Sequence, residues 1–143
     1  MQDNTTLNNA INLLTTAGIR LSHQRMAILQ YLLNHRTHPT VADIYDHLHP
    51  NHPTLSRTTV YNTLKILVES GAVLQLDIDP ECTHYDADLS PHAHFMCRHC
   101  GKLYDVPFPS HHIEAPEGFT TDRIAISYHG LCPTCASSEK TNN

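Results

Sequence analysis

The sequence predicts an α+β chain: a helical head that closes in a β-hairpin, followed by a small strand-rich tail. Three observations predict it. Apolar residues recur at helical spacing as far as Ser70. Alternation with period two takes over between Val73 and Asp86. Two Cys-x-x-Cys pairs, Cys97/Cys100 and Cys132/Cys135, bracket short β-like runs in the tail.

The elements follow in order. Leu7, Ile11 and Leu14 repeat at helical spacing, and Gly18 ends that helix. Ser22 is a suitable N-cap for a second helix with Ile28, Leu29, Leu32 and Leu33 on its apolar side. Thr40 caps a third helix. Asp43 completes a capping box there, and Ile44 and Leu48 face inward. His49 to Pro53 reads as a loop. Ser56 caps a fourth helix, Arg57 to Ser70, with Val60, Leu64 and Leu67 as its buried stripe and Gly71 as its stop. Val73–Ile78 alternates as a strand, Asp79-Pro80-Glu81 turns the chain, and Thr83–Asp86 returns as a second strand. Short helices followed by a β-hairpin are the order of a winged helix-turn-helix, in which the fourth helix enters the major groove. Its start, Ser56-Arg57-Thr58-Thr59-Val60-Tyr61-Asn62, carries groups that reach phosphates and base edges.

Asp88 to Pro91 reads as a hinge. The tail then offers His94–Cys97, Lys102–Val106 and Ile124–Tyr128 as strands. Pro107 to Gly118 holds three prolines, so a helix there is expected to be short. The expected organisation is 1–84 head, 85–91 hinge, 92–136 tail and 137–143 a disordered polar end.

The chain has 143 residues, and halving it leaves each part near the size where a metal or a partner must supplement the core. Met1 to Thr6 does not read as a signal peptide, and no apolar run reaches the ~20 residues a membrane helix needs, so the cytoplasm is the expected compartment and no membrane partner is expected. The net charge is −5. Residues 1–80 hold five basic and six acidic side chains, and residues 81–143 four and eight, so the acid sits mostly in the tail. Any DNA contact rests on a few well-placed residues of a head that is not basic.

Two Cys-x-x-Cys knuckles can aim four thiolates at one ion, which suits a closed structural Zn²⁺ site on Cys97, Cys100, Cys132 and Cys135. The spacing leaves room for a strand-helix-strand excursion between them. A thiol-redox pair is the rival reading of each Cys-x-x-Cys. Thirteen histidines are more than a chain of this length requires. His92-Ala93-His94 places two imidazoles on one side of an extended segment, with Asp86 before and Asp105 after them. Mixed nitrogen and oxygen donors suit Fe²⁺, Mn²⁺ or Zn²⁺. His47, His49, His111 and His112 are expected to be exposed, and Cys82 to be a strand residue of the wing.

Three segments carry a resemblance: Ser22-His23-Gln24-Arg25, His38-Pro39-Thr40 with Ser56 to Leu64, and His92 to Lys102. On them the chain resembles the ferric uptake regulator family over nearly its whole length. The resemblance implies a homodimer, built through a C-terminal α/β dimerisation domain, that binds palindromic operators when a regulatory ion joins head to tail. Carried over position by position, the regulatory ligands are His38, Asp86, His92, His94 and Asp105, and the structural zinc falls on the four paired cysteines. Asp86, the single His-x-His and Asp105 look like the peroxide-sensing branch. There the ion is Fe²⁺ or Mn²⁺ and a ligand histidine is oxidised, here His38 or His92. Zn²⁺ is a possible occupant in vitro. Arg20, Arg25, Ser56, Arg57, Thr58, Thr59, Tyr61 and Asn62 are the expected DNA contacts. Ile124 stands about where many iron-sensing members carry a histidine, and the tail helix between the knuckles is expected to be short. An iron-, manganese- or zinc-uptake regulator of the same family is the alternative. A zinc hydrolase built on His92 and His94 and a histidine metal buffer are the remote rivals, and no catalytic residue is assigned.

Overall fold

The computed structural model describes residues 4–110 and 113–140, so His111 and His112 and the last three residues of the expected disordered end lie outside it. The chain forms two compact units that divide between Leu89 and Ser90.

In the first unit, helices α1 (Asn4–Thr16), α2 (His23–Asn34), α3 (Val41–Leu48) and α4 (Arg57–Glu69) precede a hairpin of β1 (Leu74–Leu76) and β2 (His84–Asp86). The caps are those the sequence dictates. The hydroxyl of Ser22 accepts from the Arg25 amide and that of Ser56 from the Thr59 amide. Thr40 and Asp43 close a reciprocal capping box. Gly71 stands at φ +80, a left-handed position that ends α4 and lets the Ala72 amide reach back to the Leu67 carbonyl. Ile28, Leu29, Leu32, Ile44, Val60, Leu64 and Leu67 are essentially inaccessible and form one core with Leu14 and Val73. A three-residue 3-10 turn, His49–Asn51, occupies the expected loop. His47 is exposed, but His49 is half-buried, its ring stacked on Tyr45 at 4.9 Å between centroids.

The second unit is a three-stranded sheet in the order β4 (Leu103–Pro107), β3 (His92–Cys97), β5 (Ser127–Gly130), with α5 (Pro133–Lys140) after it. β3 runs antiparallel to β4 and parallel to β5.

Several sequence expectations need correction. β1 is confined to Leu74–Leu76, because Asp77 onward belongs to the wing turn. Tyr85 and Asp86 are strand residues and not hinge: the Tyr85 amide donates to the Pro39 carbonyl and Asp86 pairs with Leu74. Described residues 108–110 and 113–126, between β4 and β5, form no helix. Pro107, Pro109 and Pro116 deny that segment amide donors and helical backbone before each ring. Residues 137–140, expected to be disordered, complete α5. Pro133 opens that helix where its missing N–H costs nothing, the Ala136 amide bonds the Cys132 carbonyl, and the Ser137 and Ser138 hydroxyls donate one turn back.

Leu64→Ala, which empties a fully buried site, should cost about 2–5 kcal/mol in urea unfolding, and Thr40→Ala about 1 kcal/mol through the lost cap.

Candidate metal centres

One strand carries two clusters on opposite faces. Along β3, His92 and His94 share one face, while Ala93, Phe95 and Cys97 share the other. Cys97 is fully buried at its end. The turn that follows brings Cys100 back: Gly101, at φ +71, places its amide 2.9 Å from the Cys97 carbonyl. Parallel pairing of Cys97 with Gly130 then delivers Cys132, and the first turn of α5 delivers Cys135.

The four sulfurs lie within 4.8 Å of one another. Cys100 and Cys132 are 3.9 Å apart, against about 3.8 Å for two thiolates on a tetrahedral zinc with Zn–S of ~2.3 Å. The donor set fits Zn²⁺. Its electrostatics point the same way. The Cys100 backbone N–H above all holds the Cys97 thiol down to about 6. The Cys135 amide, then the Tyr104 hydroxyl, hold Cys132 low. Cys135 is pushed up to about 12, first by its hydrogen bond with Cys132. Two sulfurs therefore ionise readily while a third resists, and a divalent cation is what lets all of them carry charge together. Tyr104, itself raised to about 12 by donating to Cys132, is a supporting residue the sequence reading did not name.

The other face of β3 gathers nitrogen and oxygen. Register sets His94 directly opposite Asp105, and His92 lies diagonal to it. His92 Nε2 is 3.0 Å from His94 Nε2 and 3.3 Å from Asp105 Oδ1, and His94 Nε2 is 3.4 Å from the same oxygen. Ligands held ~2.1 Å from one divalent ion keep separations of about 3.0–3.4 Å, so this trio is spaced as a coordination set.

In the first unit, His38 and Asp86 meet. His38 Nε2 is 3.5 Å from Asp86 Oδ2, with both side chains almost wholly buried. His38 stands at φ +54 immediately before Pro39. The Tyr85 amide holds the Pro39 carbonyl and the ring of His84 holds the His38 carbonyl at 2.6 Å, so the lead-in to α3 lies along β2. Asp86 Oδ1 accepts the Asp88 amide at 2.8 Å, which orients its other oxygen toward His38.

Cys82 is not in a strand. It sits in the wing turn, its Sγ 3.2 Å from Asp79 Oδ2 and 3.3 Å from His84 Nε2. Burial, then the Asp79 carboxylate, push its thiol up to about 11. The sequence named Cys82 alone; the spacing Asp79-x-x-Cys82-x-His84 was the overlooked signal.

On α4, Thr58, Tyr61 and Asn62 are exposed, Tyr61 by 54%. The Ser56 and Thr59 hydroxyls face each other at 2.9 Å and serve the cap. Arg57 lies 3.8 Å from Asp46 and over the Tyr45 ring, an exposed pairing that binds it only weakly. Arg25 donates to the Arg20 carbonyl at 2.6 Å. Lys65, one turn beyond Tyr61, lines a groove between α4 and the wing with Tyr61, Gln75 and Tyr85, and is a basic residue the sequence reading omitted.

The sequence pattern of the ferric uptake regulator family matches residues 16–131. The chain is 35% identical over 140 residues to the peroxide operon regulator of Bacillus subtilis, covering 93% of this chain and 95% of that one. Among solved structures, PerR from Streptococcus pyogenes, described in terms of peroxide sensing and gene regulation, is 31% identical over 89% of this chain and 90% of its own, with a TM-score of 0.53. The Helicobacter pylori ferric uptake regulator has the same fold at 19% identity, with a TM-score of 0.72 and 93% of each chain covered.

Two outcomes are expected. Cys132→Ser should strip tail amides of hydrogen-exchange protection while α2 and α4 of the separate first unit keep theirs. With its thiol near 11 and not 9.0, Cys82 should alkylate with iodoacetamide at pH 8 about 100-fold more slowly than a free cysteine, the rate still climbing as pH approaches 11.

Proposed function

The chain belongs to the ferric uptake regulator family, and on that footing we propose that it is a metal-dependent, DNA-binding transcriptional repressor that answers to peroxide. The observation that carries this reading is the sulfur-free donor trio His92, His94 and Asp105, spaced for one divalent ion on the strand that ends in the zinc knuckle. Cys97, Cys100, Cys132 and Cys135 hold a structural Zn²⁺. His38, Asp86, His92, His94 and Asp105 hold the regulatory Fe²⁺ or Mn²⁺, and Zn²⁺ can enter the same set in vitro. The chain acts as a homodimer on palindromic operators in the cytoplasm. Among the described residues no helix is long and apolar enough to cross a membrane.

The physical logic is linkage. The regulatory set draws on residues before and after Leu89, so its ion favours whichever arrangement of the chain completes the set. Moving a 1:99 population to 99:1 takes about 5.5 kcal/mol of differential binding, which five ligands can supply and the loss of one can remove. Iron held by His38, Asp86, His92, His94 and Asp105 would supply one-electron redox chemistry toward peroxide. His38 or His92 is the imidazole that would take up oxygen, and an oxidised ring is a poorer ligand. In the DNA-bound form α4 enters the major groove with Arg57, Thr58, Tyr61 and Asn62 toward the duplex. Arg20, Arg25 and Lys65 meet phosphates, and Ser56 and Thr59 hold the helix start in place. A metal-uptake regulator without peroxide chemistry would use the same residues. The 35% identity to a peroxide operon regulator favours the peroxide reading.

His38→Ala and His92→Ala should each abolish Mn²⁺-dependent retention of a palindromic operator in a gel while leaving the dimer intact by light scattering; wild-type metal dependence in either removes that residue from the set. A brief peroxide pulse should release the Fe²⁺ form and not the Mn²⁺ form, with added oxygen on the His38 or His92 peptide. Arg57→Ala should weaken all duplexes alike and lower the salt slope by about 1.

A further inference from the structure

We propose that the wing turn is a second cation site, in which Asp79, Cys82 and His84 bind a thiophilic divalent ion of the Zn²⁺ class and thereby act on His38. The three donor atoms converge. Asp79 Oδ2 is 3.0 Å from His84 Nε2 and 3.2 Å from Cys82 Sγ, and the thiol is 3.3 Å from His84 Nε2. Tetrahedral zinc with bonds of ~2.0–2.3 Å sets such pairs about 3.4–3.6 Å apart, so an ion enters after an opening of a few tenths of an ångström. Asp79 is already oriented, because its other oxygen accepts the Glu81 amide at 2.9 Å.

The hydrogen bonding of His84 asks for positive charge at this point. A carbonyl oxygen only accepts, so the 2.6 Å contact between His84 Nδ1 and the His38 carbonyl places the hydrogen on Nδ1. In the neutral ring Nε2 then presents a lone pair to a carboxylate oxygen 3.0 Å away. Two acceptors at that distance repel unless a proton or a metal cation lies between them, and the Cys82 sulfur 3.3 Å from the same nitrogen favours a thiophilic metal ion. A divalent ion shared with the Cys82 thiolate meets the need and displaces the thiol proton to solvent. The negative charge of Asp43 and Glu81 also reaches this thiol, which disfavours a bare thiolate and favours a metal-bound one. One sulfur, one nitrogen and one oxygen select a borderline ion over Mn²⁺, and three protein ligands leave a fourth position to water.

The connection to His38 is direct. An ion on Nε2 fixes the His84 tautomer that donates from Nδ1 to the His38 carbonyl, and so steadies the backbone that carries the His38 ring toward Asp86. This coupling rests on the regulatory role proposed for His38; the site itself does not.

The test uses the full chain with zinc retained in its cysteine cluster, saturated with Mn²⁺ and kept anaerobic, with Co²⁺ as the probe. Sulfur-to-cobalt charge transfer in the near ultraviolet reports only a thiolate ligand, and native mass spectrometry confirms that the zinc stays bound. Wild-type protein should develop the band to one equivalent. Cys82→Ser should lack it, and Asp79→Asn and His84→Gln should weaken it tenfold or more. With Zn²⁺ in the wing, the Mn²⁺ concentration giving half-maximal operator retention should fall about fivefold in wild type and stay put in Cys82→Ser. No band in wild type, or a band that survives Cys82→Ser with zinc retained, overturns the site. A full band with an unmoved Mn²⁺ midpoint overturns the coupling. Loss of all Mn²⁺-dependent operator binding by wild type would instead overturn the regulator reading, while the cobalt band alone still decides the wing site.

Discussion

The register of β3 is the constraint on which the second unit depends. The strand has two faces, and each serves a different chemistry: imidazoles at 92 and 94 on one, the buried thiol of Cys97 at the end of the other. Pairing with β4 sets Asp105 opposite His94, and pairing with β5 brings Gly130, and with it the second knuckle, beside Cys97. A slip of one residue would turn the histidines away from Asp105 and withdraw Cys97 from its partners at a stroke. The four-cysteine cluster, with the zinc proposed for it, therefore does more than compensate for a small core. By tying the end of β3 to the start of α5, it fixes the register that aligns the nitrogen and oxygen donors.

The head was legible because its signals are local. Ser22, Thr40 and Ser56 cap within three residues, Gly71 stops α4 through its own backbone, and the stripe Val60, Leu64, Leu67 follows helical period. The same locality made His92, His94 and Asp105 readable, because alternation and one antiparallel turn bring them together. What depended on distant pairing was harder. β5 pairs in parallel with a strand thirty residues earlier in the chain and occupies 127–130 instead of the more apolar 124–128, whose Ile124 is exposed. The second half of α5, residues 137–140, looked disordered because its composition is polar; Pro133 and the anchored Cys132 and Cys135 organise the helix instead. The approach of His38 to Asp86, 48 positions apart, followed from resemblance alone, since no spacing encodes the run of Pro39 along β2.

Charge organises the molecule unevenly. The net charge of −5 is unpromising for a DNA ligand, yet many of the carboxylates are committed. Asp43 caps a helix, Asp79 accepts from the wing, Asp86 faces His38, Asp88 meets Arg36 at 3.4 Å and Asp105 meets two imidazoles. Cations bound at such places would offset part of the deficit a phosphate backbone feels, so occupancy by metal and tolerance of nucleic acid are electrostatically aligned.

The left-handed backbone of His38 is destabilising in its own right. Standing at positive φ costs a residue with a Cβ about 1–2 kcal/mol, and here the following proline narrows its choices further. The fold accepts that strain at a residue proposed as a metal ligand, whose ring meets Asp86. Glycine there would rest more easily and coordinate nothing. Selection for robustness and selection for responsiveness thus pull this single position in opposite directions, and a head evolved only to endure heat would be expected to surrender its histidine first.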